Sequence, residues 1–260
     1  MASVTTAFLD RLRYSRHLAL PGVGEGGQAR LGQSRVLIVG AGGLGGPAAL
    51  YLAAAGVGHL TLVDGDRVET SNLGRQIVHA TSRLGWAKVD SARQALLDLN
   101  PRIGVETVDG WLDEGNVEAL VGASHLVLDG SDNFETRDRV NAACFRHKRP
   151  LVTGAALGFS GQVGVFHAGE DAALPCWRCF FPSLPEDGNS PTCETAGVLG
   201  ALTGIVGSWM AAEALLELSG KGANLRGQLL LLDLSGGEVR RITGRRDGRC
   251  PVCADSDGSR

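Results

Sequence analysis

Apolar and polar positions alternate along this chain in blocks rather than residue by residue. Val36 to Val39 is an apolar run that ends on Gly40, and LTLVD, Leu60 to Asp64, ends on an acid. Such runs read as buried strands, and Gly43 to Ala55 between them reads as a helix that tolerates Pro47 in its first turn. The same order recurs downstream. A helix opening at Lys88 carries Val89, Ala92, Leu96 and Leu99 on its apolar side and stops at Asn100-Pro101. A strand near residues 104–108, a helix near 113–121 and a strand at His125 to Asp129 follow. Then come a helix over Phe134 to His147 and strands at Leu151 to Ala155 and Gln162 to His167. Residues 169–195 show no period; a long apolar helix spans Ala196 to Leu218, and strands over 228–234 and 238–243 form a hairpin around Ser235-Gly236-Gly237. Residues 5–31 read as mostly helical, with a turn near Pro21 to Gly24. This alternation predicts an α/β fold: a Rossmann-like, doubly wound, mostly parallel sheet with a C-terminal antiparallel extension. The expected organisation is a helical arm (1–34), a nucleotide-binding core (35–168), a metal-clipped part of the same domain (169–253) and a loose tail (254–260).

The first strand runs straight into Gly40, Gly42, Gly43 and Gly45, spaced G-x-G-x-x-G. Glycines there allow a tight turn and close approach to a phosphate, which the N–H groups of the following helix then hold. Asp64, at the end of the second strand, is placed to hold a ribose hydroxyl. Alone this motif says only that a nucleotide binds, and a nicotinamide-dependent oxidoreductase would satisfy it. The loop from Asp64 to His79 is polar and aperiodic, so it reads as either a functional loop or a solvated one. Asp66, Asn72, Arg75 and Gln76 in it are of the kind that contact ribose and phosphate. Asp132 follows the strand that ends at Asp129; it suits Mg²⁺ beside Asp64 or, alternatively, a helix N-cap.

Composition narrows the field. The chain has 260 residues, 43% hydrophobic and 20% charged, with a formal charge of −3. That size fits one α/β domain, and neither the charge nor any basic run points to nucleic acid. No apolar leader occupies residues 1–16, so the expected setting is cytoplasmic, where six cysteines serve metal or chemistry rather than disulfides. Cys176-x-x-Cys179 and Cys250-x-x-Cys253 are expected to close one structural Zn²⁺ site, tetrahedral and without an open position. Cys144 reads as core. Cys193, just before the long helix, is either a thiol activated by the helix N-terminus or an unreactive small residue. Ala196 to Ala212 carries no charge and holds G-x-x-x-G at Gly200 and Gly204; it is short for a membrane span and reads as a buried helix.

Taken in order, RYSRH (Arg13 to His17), VLIVGAGGLG, LVDGD, SNLGRQ (Ser71 to Gln76), Lys88, DGSDN (Asp129 to Asn133), both C-x-x-C pairs and TCETAGV (Thr192 to Val198) resemble the ThiF/MoeB/HesA family, relatives of ubiquitin-activating enzymes. The resemblance implies ATP rather than NAD, and adenylation of the C-terminal Gly-Gly carboxylate of a ubiquitin-like sulfur carrier. It places Gly43 on the phosphates and Asp64 on the ribose, with Ser71, Asn72, Arg75, Gln76, Lys88 and Asn133 around ATP and Asp132 on Mg²⁺. Arg16 matches an arginine that members lend to a partner subunit's ATP site, which implies a homodimer with the late helix near its interface. Cys193 matches a cysteine through which some members pass the acyl group to sulfur. With the chain ending seven residues after Cys253, a separate sulfurtransferase is the expected sulfur source. An enzyme of the same fold acting on a small molecule or a modified RNA base is the competing expectation.

Overall fold

A computed structural model describes residues 10–183 and 196–254. Eight strands form one sheet: β1 (Arg35–Val39), β2 (His59–Asp64), β3 (Gly104–Asp109), β4 (Leu126–Asp129), β5 (Leu151–Leu157), β6 (Ser160–Phe166), β7 (Gln228–Asp233) and β8 (Glu238–Thr243). Their order is β3-β2-β1-β4-β5-β6-β7-β8. β1 to β5 pair in parallel, and β5 through β8 pair antiparallel. Among the described residues, the helices of seven residues or more that complete the layers are α1 (Gly24–Gln33), α2 (Gly45–Ala54), α3 (Lys88–Leu99), α4 (Val117–Ala123), α5 (Phe134–Arg146) and α6 (Gly200–Leu218). Short helical turns occur at Ser15–Leu18 and Trp177–Phe180.

The unbroken apolar character of the parallel strands has a direct cause: both faces of the sheet are covered. Val36 and Ile38 of β1 pack with Leu52, Leu96 and Met210 in one core layer, whereas Leu37 and Val39 pack with Val121, Val140 and Trp177 in the other. Side chains alternate across a strand, so each strand needs apolar residues at every position to feed both layers. Cys144 is buried in the second layer as expected, and burial raises its pKa.

The sheet also decides where a ligand goes. From β1 the chain winds outward through β2 to β3, then returns to place β4 on the other side of β1. The loops after β1 and β4 therefore diverge and leave a crevice at the carboxyl ends of the strands. The turn into α2 depends on glycine. Gly40 has φ of +85°, and a side chain at Gly45 would lie 1.8 Å from the Gly40 carbonyl.

The long apolar helix begins at Gly200 rather than Ala196. It is long and apolar enough to cross a membrane by length and composition. Here its inner face (Leu202, Val206, Met210, Ala214) is buried in the first core layer, against α2, β5 and β6. Glu213 is buried too, and its carboxylate accepts the Asn224 and Leu225 N–H groups. α4 also starts late: Asp113 and Asn116 hold the turn before it instead of opening the helix.

Candidate functional site

The crevice beyond β1, β2 and β4 is a cleft of about 730 Å³. Gly40, Gly42, Gly43, Asp64, Asp66, Arg75, Gln76, Lys88, Asp132 and Asn133 all line it. These residues come from five separate stretches of sequence that the sheet brings to one end.

The glycine loop is held by the protein itself. Asp64 Oδ2 accepts the Ala41 N–H at 2.8 Å and Oδ1 accepts the Asp66 N–H at 2.9 Å. Burial raises the Asp64 pKa, while those two amides and the charge of Lys88 oppose the shift. Lys88 opens α3, is 6% exposed, and donates to Asp66 Oδ2 at 2.7 Å. An ammonium has three donors, so Lys88 keeps two for another anion. Arg75 donates one Nη1 bond to the Ser71 carbonyl at 3.1 Å. The N-terminus of α6 abuts its backbone: the Thr203 hydroxyl is shared between the Gly200 carbonyl at 2.8 Å and the Arg75 carbonyl at 3.2 Å, and a side chain at Gly200 would lie 2.3 Å from the Gly74 carbonyl. Gly200 is therefore what lets α6 press on the loop that carries Arg75.

Across the cleft, Asn133, not Asp132, caps α5: Asn133 Oδ1 accepts the Thr136 N–H at 2.8 Å. The N-cap alternative for Asp132 is thus removed. Its carboxylate is exposed and has no hydrogen-bond or ion-pair partner among the described residues. Mg²⁺ takes oxygen ligands and binds through one or two carboxylates plus phosphates; Asp132 fits that requirement. Asn72 and Ser71 do not line the cleft. Asn72 Oδ1 accepts the Glu69 N–H at 2.9 Å, and Ser71 Oγ donates to Glu69 at 3.3 Å, which together hold the turn before Arg75. Arg16 is exposed and also lies elsewhere. Its neighbour Tyr14 packs on Gly56 and accepts from Asn100, beside the amino ends of β2 and β3 and so at the opposite end of the sheet.

Three parts of the site lay outside the sequence reading. Arg137, 6% exposed, donates to the carbonyls of Ser131 and Gly154 and to Thr153 Oγ1, tying the loop after β4 to β5. It faces the fully buried Asp129, whose pKa burial raises and Arg137 draws back. His79 holds the glycine loop from below. Trp111, Asp233, Glu238 and Arg240 line the far part of the cleft, which reaches the antiparallel strands. A signal for Arg137 existed: Arg137, Val140, Asn141 and Cys144 fall at i, i+3, i+4 and i+7, which puts two polar residues on an apolar helix face.

The two C-x-x-C pairs converge although they are far apart in sequence. Sγ–Sγ distances are 4.0 Å for Cys176–Cys179, 3.6 Å for Cys176–Cys250 and 3.4 Å for Cys179–Cys253, and all four sulfurs lie within 4.8 Å of one another. A tetrahedral ion with bonds of about 2.3 Å spaces its ligands by about 3.8 Å, so the residues fit Zn²⁺. Burial first, and then the neighbouring thiols, raise the Cys176 and Cys253 thiols, the latter to about 12; a divalent cation reverses that preference. Asn141 Nδ2 donates to Cys176 Sγ at 3.7 Å and its Oδ1 accepts the Trp177 N–H, fixing the cluster to α5. Cys193 lies outside the described residues.

A doubly wound sheet with a glycine loop, two cationic side chains and a free carboxylate at its switch point is the architecture of a nucleotide-binding fold. The chain belongs to the ThiF family, which matches residues 14–252. It is 47% identical over 252 residues to a sulfur carrier protein adenylyltransferase of Thermus thermophilus, covering 95% of this chain and 92% of that one. It is 43% identical over 244 residues to a molybdopterin-synthase adenylyltransferase of Escherichia coli, covering 94% and 96%. Identity is 46% over 243 residues with a SAMP-activating enzyme E1 of Haloferax volcanii, covering 94% and 88%. Among solved structures, PaaA superposes with a TM-score of 0.78 at 25% identity, over 92% of this chain and 74% of PaaA.

Proposed function

We propose that this protein uses ATP to adenylate the C-terminal glycine carboxylate of a ubiquitin-like sulfur carrier, releasing pyrophosphate, as its named relatives' activities suggest. The observation that carries the reading is the placement of Lys88 and Arg75 on one cleft with Gly42 and Gly43, each cation retaining unused donors. A carboxylate oxygen attacks the α-phosphorus, the bond from that phosphorus to the α,β-bridging oxygen breaks, and pyrophosphate leaves with that oxygen and the electron pair. The obstacle is repulsion between a carboxylate and a highly anionic triphosphate. Lys88 and Arg75 offset the charge that develops. Mg²⁺ held at Asp132 supplies further neutralisation when bound. No general base is needed, because the attacking carboxylate is already ionised at neutral pH. Asp64 orients the glycine loop and presents its remaining lone pairs to the ribose. The carrier's thin Gly-Gly end enters from the antiparallel side, past Arg240. The pathway served, by molybdopterin or thiamin synthesis or tRNA thiolation, follows from which carrier fits.

Carrier-dependent ATP–pyrophosphate exchange tests this. Asp132→Ala and Arg75→Ala should each abolish exchange while the melting temperature stays within a few degrees. Near-normal exchange in both would refute the assignment.

Our reading includes a homodimer with Zn²⁺ at the four cysteines. The outer face of α6 (Ala201, Gly204, Ile205, Ser208, Trp209, Ala212) forms an open groove suited to a second copy. Arg16, remote from its own cleft, then completes the partner's site. A mixture of Arg16→Ala and Asp132→Ala proteins tests this, since each heterodimer would regain one intact site. Restored exchange on mixing is expected; silence places Arg16 outside the site.

A further inference from the structure

We infer that His79 is a positioning residue that aims the Gly42 N–H into the nucleotide cleft by holding the Ala41 carbonyl on its opposite side. The inference rests on the cleft being an ATP site. His79 is 7% exposed, and its Nε2 lies 3.1 Å from the Ala41 carbonyl oxygen while Nδ1 lies 2.9 Å from Ser91 Oγ. Arg83 Nε also donates to Ser91 Oγ, at 2.9 Å, and its Nη2 donates to the Val78 carbonyl.

For a neutral ring these contacts leave one consistent arrangement of protons. A carbonyl oxygen only accepts, so Nε2 carries the ring proton and donates to Ala41. Nδ1 then accepts the Ser91 hydroxyl proton, and Ser91 Oγ accepts from Arg83. The ring is neutral: burial, Lys88 and Arg83 lower its pKa to about 4. A protonated ring would lose the Ser91 hydroxyl proton as a partner.

The consequence lies in the next peptide group. Across a trans peptide the carbonyl of one residue and the N–H of the next point in opposite directions. With the Ala41 carbonyl turned to His79, the Gly42 N–H must face the other way. Gly42 lines the cleft, and the N–H groups of Gly42 and Gly43 have no acceptor among the described residues. The preceding peptide is clamped in the same sense by Asp64, which takes the Ala41 N–H. Glycine gives this loop the freedom to adopt its shape and equally to leave it. His79 and Asp64 remove that freedom before any phosphate arrives, so binding does not have to order the loop.

Two substitutions separate this role from packing. A glutamine amide reaches the position of Nε2 and keeps the donor to Ala41; an asparagine amide reaches only the position of Nδ1. ATP binding by calorimetry, with melting temperature and the KM–kcat split in carrier-dependent exchange, is compared for wild type, His79→Gln and His79→Asn. We expect His79→Asn to weaken ATP binding about tenfold, the effect of one ordinary hydrogen bond, through KM rather than kcat. His79→Gln should stay within about threefold of wild type on the same scale. Equal weakening of the two, or unchanged binding in His79→Asn, overturns the inference. If His79→Asn does not fold, Ser91→Ala, which frees the ring to rotate, must weaken ATP binding or the inference falls. Absence of ATP binding by the wild type would instead overturn the functional reading itself.

Discussion

The nucleotide cleft and the four-cysteine cluster solve opposite problems. In the cleft the protein satisfies one side of each polar group and leaves the other open: Lys88 is tied to Asp66, Arg75 to Ser71, and Ala41 to Asp64 and His79. The cluster leaves nothing open. Four sulfurs face one another, and Asn141 and the Asp247 N–H approach Cys176 and Cys179 from outside. A site that must turn over ligands is held from behind, while a site that joins two chain segments is closed on all sides. Removing a group should therefore cost stability in the cluster and activity in the cleft.

The largest effect belongs to the cluster. Zn²⁺ content should be near one per chain, and Cys250→Ser or a strong chelator should lower stability by several kcal/mol, about ten degrees or more in melting temperature. Without the metal, Trp177, Phe180 and Phe181 still anchor residues 169–183 to the second core layer, whereas the apolar contacts of residues 250–253 are confined to one small cluster. Unchanged melting after complete metal removal would break the comparison at its structural end.

Next comes the cleft. Lys88→Met retains the buried stem and removes the charge, leaving Asp66 half exposed to water. Exchange should fall about 10²–10³-fold, as for loss of one preorganised cation or donor aimed at developing charge, with little change in melting temperature. A large stability loss with residual exchange would show that the ion pair, rather than the chemistry, is what Lys88 serves.

How much of this was legible beforehand follows the same division. The strands of the parallel half carry apolar residues for both layers, so β1, β2 and β4 stand out from a single line of sequence. α3 is bounded as expected, because Lys88 opens it and Asn100 ends it. The four cysteines were readable because thiolates at that spacing have few other uses. Strand order and the β5–β6 hairpin were not readable, since they depend on which edges meet rather than on local pattern. Asn133 and Asp132 show the limit most clearly. They are adjacent, both suited to capping, and only backbone geometry assigns the cap to Asn133 and frees Asp132. Asn72 and Ser71 have cleft-binding chemistry but spend it on Glu69. Arg137 and His79 are inward-facing polar residues, whose partners are carbonyls that a sequence does not display.

A smaller effect concerns pH. The folded state keeps His79 neutral down to about 4, whereas an unfolded histidine protonates near 6.5. A lowered histidine pKa means that the unfolded chain binds the proton first, so stability is lost as pH falls from about 6.5 towards 4. At pH 5 the loss from this group is on the order of 2 kcal/mol. His79→Gln should remove that part of the acid sensitivity, so chemical denaturation of wild type and variant should converge as pH drops from 7 to 5. Parallel curves would show that His79 titrates normally.

The smallest expected effect is at Cys193. Pyrophosphate exchange reports only formation and reversal of the adenylate, a step between carboxylate and α-phosphorus that no thiol enters. Cys193→Ser should therefore leave exchange within about twofold of wild type, a change below about 0.5 kcal/mol. If Cys193 receives the acyl group after adenylation, the same variant loses transfer to sulfur while retaining exchange. Complete loss of exchange would instead place this cysteine inside the cleft with Arg75 and Lys88. The closed-cluster and open-cleft division would then need a third element, required for the first chemical step.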